Sequence, residues 1–219
     1  MRNTVIFDMD GTLLDTLEDI YLSVNAVLGE AGLPLRTLDE IRQFVGVGSR
    51  ALMRRCIEGG EAHPKFETCY AAFQKYYHTH LNDHTVPYEG VVGLLDALRQ
   101  AGFLLAIVSN KSDSAVKELN SEVFGERIPV AIGAQEGVHK KPAPDTVYAA
   151  MRELGVEKDV CVYVGDSETD LETAANAGIP CVCVAWGFRG RAALEDLGAE
   201  RIADTAGELL DILKEYAGD

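Results

Sequence analysis

The chain has 219 residues, of which 47% are hydrophobic and 25% charged, with a formal net charge of −15. That is an ordinary globular balance, long enough for one good core and a smaller second unit. The acidic excess excludes a generic binder of nucleic acid or acidic membranes, and no apolar run approaches the ~20 residues of a membrane span. Only Arg2 is basic ahead of the first acids, so no secretory signal is expected. Five cysteines without a close CxxC pair make neither a disulfide framework nor a zinc site. Cys161, Cys181 and Cys183 lie in strand-like apolar runs and read as small core residues, with a reducing cytoplasm as the expected compartment.

The first element is the run Val5-Ile6-Phe7, which ends in Asp8-Met9-Asp10-Gly11-Thr12. Residues two apart on a strand point the same way, so Asp8 and Asp10 leave its C-terminal end on one side. Two like charges that close repel unless a cation or a proton sits between them. Gly11 lets the backbone turn sharply and come close to a ligand. Asp-Gly is also a hairpin signal. The following pattern has helical period, however, so no partner strand is expected.

From Thr16 onward, Leu17, Ile20, Tyr21, Val24, Val27, Leu28 and Ala31 form one apolar stripe. Thr16 with Asp19, or Asp15 with Glu18, would cap its start, and Gly32 and Pro34 end it. Thr37-Leu38-Asp39-Glu40 is a second capping box. Phe44-Val45-Gly46-Val47-Gly48-Ser49-Arg50 reads as a Gly-rich turn opening another helix, and Phe66 to Leu81 carry the stripe of a longer one. Residues 16–82 are therefore expected to form an all-helical unit inserted after the first strand.

Beyond Val86, a helix with Val91, Leu94, Leu95 and Leu98 precedes the continuous apolar run 103–108, as suits a strand buried on both faces. Helices near 112–123, 143–154 and 168–177 alternate with strand-like runs at 129–133, 160–165 and 180–185, and a last helix closes the chain. The expected fold is α/β: a doubly wound, parallel, Rossmann-like sheet formed by 1–15 and 83–219, with a helical cap formed by 16–82. Ligands of such sheets bind beyond the carboxyl ends of the strands. Each candidate site residue follows a strand-like run. Ser109, after Ile107-Val108, has a hydroxyl and following backbone N–H groups suited to a phosphate oxygen, although Ser-Asn is also a common turn or cap. Lys141 precedes Pro142, a good first-turn residue, at an expected helix entrance. Asp166 follows Val162-Tyr163-Val164-Gly165, and Ser167 and Asp170 match a helix N-cap pattern. Clustered carboxylates without His or Cys specify a hard cation, and magnesium is the expected one.

Phe7-Asp8-Met9-Asp10-Gly11-Thr12-Leu13-Leu14-Asp15-Thr16 resembles the first motif of the haloacid dehalogenase superfamily. Ser109-Asn110, Lys141-Pro142 and Gly165-Asp166-Ser167-Glu168-Thr169-Asp170 resemble its other motifs, in order. The resemblance implies Mg²⁺ held by Asp8, the backbone carbonyl of Asp10 and Asp166, with Asp170 acting through water or orienting Lys141. It implies Asp8 as nucleophile and Asp10 as acid–base. Gly11, Thr12, Ser109, Lys141 and the Asn110 backbone would then hold the phosphoryl group of a small phosphate ester. Val45-Gly46-Val47-Gly48, Tyr88-Glu89-Gly90, Ser109-Asn110-Lys111 and Ala185-Trp186-Gly187-Phe188-Arg189 look like the phosphoglycolate phosphatase branch. Gly46, Gly48 and Arg50 are the expected contacts of the lid with substrate. His78 and His80 lie at the end of a helical stripe and read as structural. A dehalogenase needs no carboxylate at Asp10. A β-phosphoglucomutase-like mutase, a pyrophosphatase or a nucleotidase would keep the same motifs, whereas a non-catalytic binding protein would have no reason to. Monomer and homodimer both fit.

Overall fold

The structure, a computed structural model, describes residues 2–218. The first apolar run forms β1 (Thr4–Phe7), buried along its whole length. A two-residue strand does follow the Asp-Gly turn. This is β2 (Leu14–Asp15), which pairs antiparallel with β3 (Val86–Pro87) and not with β1. The two strands tie together the segments that lead into and out of the helical insert. Within the insert lie α1 (Leu17–Glu30), α2 (Leu38–Phe44), α3 (Ser49–Cys56) and α4 (Phe66–Thr79). Their stripes meet in an apolar cluster of their own that includes Val24, Leu28, Ile41, Met53, Phe66 and Phe73.

The Thr37–Glu40 capping box at α2 forms as expected. At α1 the Thr16–Asp19 cap does not form, because tertiary partners outcompete it, while Asp15 Oδ1 accepts from the first helical N–H, that of Leu17 (3.2 Å). Thr16 donates to Asp10 (2.8 Å), and the buried Asp19 carboxylate accepts from the backbone N–H of His84 and Thr85. Leu81, expected within the long helix, lies past its end, where it is buried in the sheet-side core.

After β3 the chain alternates: α5 (Val91–Gln100), β4 (Leu104–Ser112), α6 (Asp113–Leu119), β5 (Val130–Ala134), α7 (Asp145–Leu154) and β6 (Cys161–Gly165). Then come α8 (Glu168–Ala177), β7 (Cys181–Val184), α9 (Arg191–Asp196), β8 (Ile202–Ala203) and α10 (Ala206–Gly218). β4 runs past the expected end at 108, and α6 gives way to a wider helical turn over Asn120–Phe124. α7 starts at Asp145, so Pro142 lies in the loop before the helix and not in its first turn.

The strands order β5-β4-β1-β6-β7-β8, with every neighbouring pair parallel. Alternate residues point to opposite faces. Phe7, Ile107, Val164 and Val184 face one apolar layer, and Ile6, Val108 and Tyr163 the other. The chain winds outward from β1 through β4 to β5, then returns to β6 on the other side of β1. That reversal leaves a crevice at the carboxyl end of β1, the place where such a sheet binds ligands. Among the described residues no helix is long and apolar enough to cross a membrane.

Candidate active site

Parallel pairing of β1 with β6 sets Phe7 beside Val164, so Asp8, one residue on, and Asp166, two residues on, leave neighbouring strand ends. The Asp8 N–H donates to Val164 O (2.8 Å), which continues the sheet to the first carboxylate. Asp8 Oδ1 accepts from the Met9 N–H (2.7 Å) and pairs with Lys141 Nζ at 2.9 Å. The same ammonium pairs with Asp170 Oδ1 at 2.8 Å and donates to the Tyr163 hydroxyl at 3.0 Å. Asp170 Oδ2 accepts from the Ser167 hydroxyl and from the N–H groups of Asp166 and Ser167. Asp170 is thus saturated by protein donors, and its geometry orients Lys141.

Asp166 is held by the Thr12 hydroxyl on Oδ1 (3.1 Å) and the Phe188 N–H on Oδ2 (2.8 Å). Two glycines make room for this carboxylate. Gly11 has φ +82°, and a Cβ there would lie 2.5 Å from Asp166 Oδ2; a Cβ on Gly187 would lie 2.3 Å from Asp166 Cβ and from Gly11 O. Gly187→Ala is therefore expected to cost about 1–3 kcal/mol through overpacking and to displace Asp166. Urea unfolding measures the first effect, and a crystal structure of the variant the second.

Asp8, Asp166 and Asp170 are buried together, and the Lys141 ammonium pairs with Asp8 and Asp170 but not with Asp166. Burial is the largest influence on Asp8 and holds its carboxyl well above the usual range; Lys141 opposes it, and Asp170, Asp166 and Asp10 add repulsion. Asp166 is pushed up to about 7 by burial and by Asp170. Burial acts to raise Asp170 too, but Lys141 and its hydrogen bonds prevail and hold it low. Lys141 is likewise held charged by Asp170 and Asp8 against the effect of burial. Asp8 and Asp166 are therefore the carboxylates whose ionised form the protein's own groups support least. Hard oxygen donors, no nitrogen or sulfur ligand and a surplus of negative charge are the chemistry of a magnesium site. One oxygen from each of Asp8, Asp166 and Asp170 lies within 4.8 Å of the others. Asp8 and Asp166 fit the ion, while Asp170, whose oxygens are taken by protein donors, orients Lys141.

Asp10 lies on the same side as Asp8. Its Oδ1 accepts from the Thr16 hydroxyl and pairs with Lys111 Nζ at 2.9 Å. Lys111 also donates to the hydroxyl of Tyr77 on α4. The sequence motif Ser109-Asn110-Lys111 contains this lysine, but the only signal for its role was its place two residues past Ser109. Ser109 is buried, and its hydroxyl accepts from the Lys111 N–H. Asn110 was expected to act through its backbone alone. Its side chain has a further role, clamping the loop around Lys141 by accepting from the Lys141 N–H (2.8 Å) and donating to the Lys141 carbonyl (3.1 Å). It also donates to Gly46 O in the helical insert.

Asp8, Asp10, Ser109, Asn110 and Lys111 line one side of a cleft, with Gly46 and Gly48 on the other. Arg50 is not among the residues that line it, in place of the expected substrate contact. Its guanidinium is exposed, paired with Glu61 and Glu67 and laid over the Phe66 ring. Two acidic neighbours that sequence spacing does not reveal have claimed it. A second residue lies in a sequence motif that assigned it no role. Arg189 pairs with Glu168 and donates to the carbonyls of Arg42 and Val45 at the end of α2, where a cation suits the helix dipole. It braces the insert against the loop that carries Phe188.

The haloacid dehalogenase-like hydrolase family matches residues 5–184 of the chain. A phosphoglycolate phosphatase of Xanthomonas campestris pv. campestris (strain 8004) is 37% identical over 186 residues, covering 84% of this chain and 84% of its own. Phosphoglycolate phosphatase 1 of Pseudomonas aeruginosa is 30% identical over 211 residues, 94% of this chain and 78% of that one. The crystal structure of a Lactobacillus delbrueckii subsp. bulgaricus protein superposes with a TM-score of 0.92 at 34% identity, covering 97% of this chain and 99% of that one. The chain belongs to the haloacid dehalogenase-like hydrolases. Within that family it is a phosphoric monoester hydrolase of the phosphoglycolate phosphatase-like kind.

Proposed function

We propose that the protein hydrolyses a small, phosphoglycolate-like phosphate monoester through an aspartyl-phosphate on Asp8, with Mg²⁺ as cofactor. The observation that carries this reading is the buried Asp8 carboxylate, paired with Lys141 at 2.9 Å and crowded by two further carboxylates. Asp8, Asp166 and the backbone carbonyl of Asp10 would hold the magnesium ion, which when bound neutralises these carboxylates and the phosphoryl oxygens.

An Asp8 carboxylate oxygen attacks phosphorus, and the bond from phosphorus to the ester oxygen breaks. A carboxylate nucleophile divides one difficult displacement into two easier ones. Asp10 gives a proton to the departing alkoxide. It then takes one from the water that attacks phosphorus, and the bond between Asp8 and phosphorus breaks to release phosphate. Such proton transfer contributes typically ~10²–10⁴-fold. Lys141, Ser109 and the adjacent backbone N–H groups stabilise the equatorial oxygens, the main requirement of phosphoryl transfer. Residues 16–82 act as a lid over the cleft, with Gly46 and Gly48 close to substrate and Asn110 and Arg189 as contacts to the core. The kinship with phosphoglycolate phosphatases supports the choice of substrate.

A panel of 2-phosphoglycolate, pyrophosphate, nucleoside monophosphates, sugar phosphates and p-nitrophenyl phosphate tests the proposal, assayed with Mg²⁺ and with EDTA. Phosphate release that requires Mg²⁺ and is fastest with a small acidic monoester is the expected result. Isomerisation of β-glucose 1-phosphate without phosphate release would instead make the protein a mutase.

A further inference from the structure

We propose that Lys111 reads a carboxylate on the substrate, one carbon from the ester oxygen, so that the preferred substrates are phosphate esters of short 2-hydroxy acids. This rests on the phosphatase reading above and names the residue and chemical class that would give it selectivity. Lys111 lines the cleft, yet its side chain is only 5% exposed, and its charge is balanced by Asp10. Beyond Asp10 the cleft wall is mostly uncharged: Ile20, Val45, Leu52, Phe73 and Gln74. No arginine lines it among the described residues, because Arg50 is paired outside with Glu61 and Glu67. His78 lies 3.9 Å from Glu118 and is more than half exposed. Among the described residues that line the cleft, Lys111 is thus the only lysine or arginine, with the Lys140 ammonium beside Gly48 at its lid side.

Burial alone would lower the pKa of this ammonium, but Asp10 and Tyr77 prevail and hold it above the ordinary lysine range. A buried cation keeps a counter-ion, since leaving it unpaired is costly. Asp10 fills that place in the structure, at 2.9 Å. An ester oxygen in contact with Asp10 lies about one hydrogen-bond length from it, so a carboxylate on the adjacent carbon falls beside Nζ. The substrate carboxylate then replaces Asp10 as partner of Lys111, and Asp10 is free to face the ester oxygen. A carboxylate further along the chain would meet Leu52 and Phe73, where it would lose its hydration without a partner. Tyr77, on α4, bonds the same ammonium and fixes its position from the lid side.

The test compares kcat/KM for 2-phosphoglycolate and for the uncharged analogue 2-hydroxyethyl phosphate in the wild type, Lys111→Met and Lys111→Arg. The expected result is a preference for 2-phosphoglycolate that falls roughly 10- to 100-fold in Lys111→Met, mostly through KM, the size of a lost charged hydrogen bond. Lys111→Arg should recover most of it. Loss by one common factor for both esters would mean that Lys111 only positions Asp10, and would overturn the proposal. So would a wild type without preference, although its turnover of the neutral ester would leave the phosphatase reading intact. Failure of the wild type to hydrolyse either ester would overturn both. A comparison independent of folding in the variants uses the wild type with 3-phosphooxypropanoate, whose carboxylate lies one carbon further away. Its kcat/KM should be lower than that of 2-phosphoglycolate by about 10-fold or more, and equality would overturn the proposal.

Discussion

Asp8→Asn is expected to abolish phosphate release, with a loss on the order of 10⁴-fold or more, the scale seen when a nucleophile acting as part of a unit is removed. The amide retains an oxygen that can accept from Met9 and Lys141, as Asp8 Oδ1 does at 2.7 and 2.9 Å, so the loop keeps its shape. It cannot accept the phosphoryl group to form an acyl phosphate. The substitution also removes one of the carboxylates that repel each other around Lys141, with burial opposing the charge on Asp8 in the first place. Without added metal, the thermal midpoint should therefore be unchanged or higher. Calorimetry with and without Mg²⁺, beside the activity assay, reads both parts. Substantial residual turnover would remove Asp8 from the nucleophile's role, and a collapse in stability would make it a structural residue.

Lys141→Met is expected to be inactive and, unlike Asp8→Asn, unstable. The ammonium is buried and lies within 2.9 Å of Asp8 and 2.8 Å of Asp170, while Tyr163 accepts a third bond. Methionine nearly matches its length but leaves Asp8, Asp166 and Asp170 in one buried cluster without a lysine. Removing one member of a buried ion pair costs about 3–5 kcal/mol, because the remaining charge keeps its desolvation penalty. Urea unfolding should show a loss of that size. Paired with Asp170→Asn in the same background, the double variant should recover part of it, since one uncompensated carboxylate is gone. Additive losses would mean that the two residues do not share their charge in the way the geometry requires.

The same physics explains what was legible in the chain. Asp8, Ser109 and Asp166 could be located because each ends an apolar strand run, and parallel strands deliver their carboxyl ends to one edge of the sheet. Helical period likewise exposed the insert, whose stripes at Leu17–Leu28 and Phe66–Phe73 bury into one another. Those features are local, and local pattern survives in a linear sequence.

Partner choice is a different matter. Thr16 and Asp19 carry the residue types of a helix cap but bond to Asp10 and to the linker at His84 and Thr85. Arg50 follows a Gly-rich turn next to the cleft, yet Glu61 and Glu67 hold it outside. Lys111 looked like the tail of a motif until the pairing of β1 with β4 brought it to Asp10. The asparagine clamp of Asn110 on Lys141 depends on a loop that returns from β5. By itself the sequence determined the strand-end carboxylates, the alternation of strands and helices between 91 and 185 and the family, but not the short strands at 14–15, 86–87 and 202–203. Only the tertiary structure decided which charge neutralises which, because ion pairs and side-chain hydrogen bonds are chosen among whatever groups folding brings within about 3 Å.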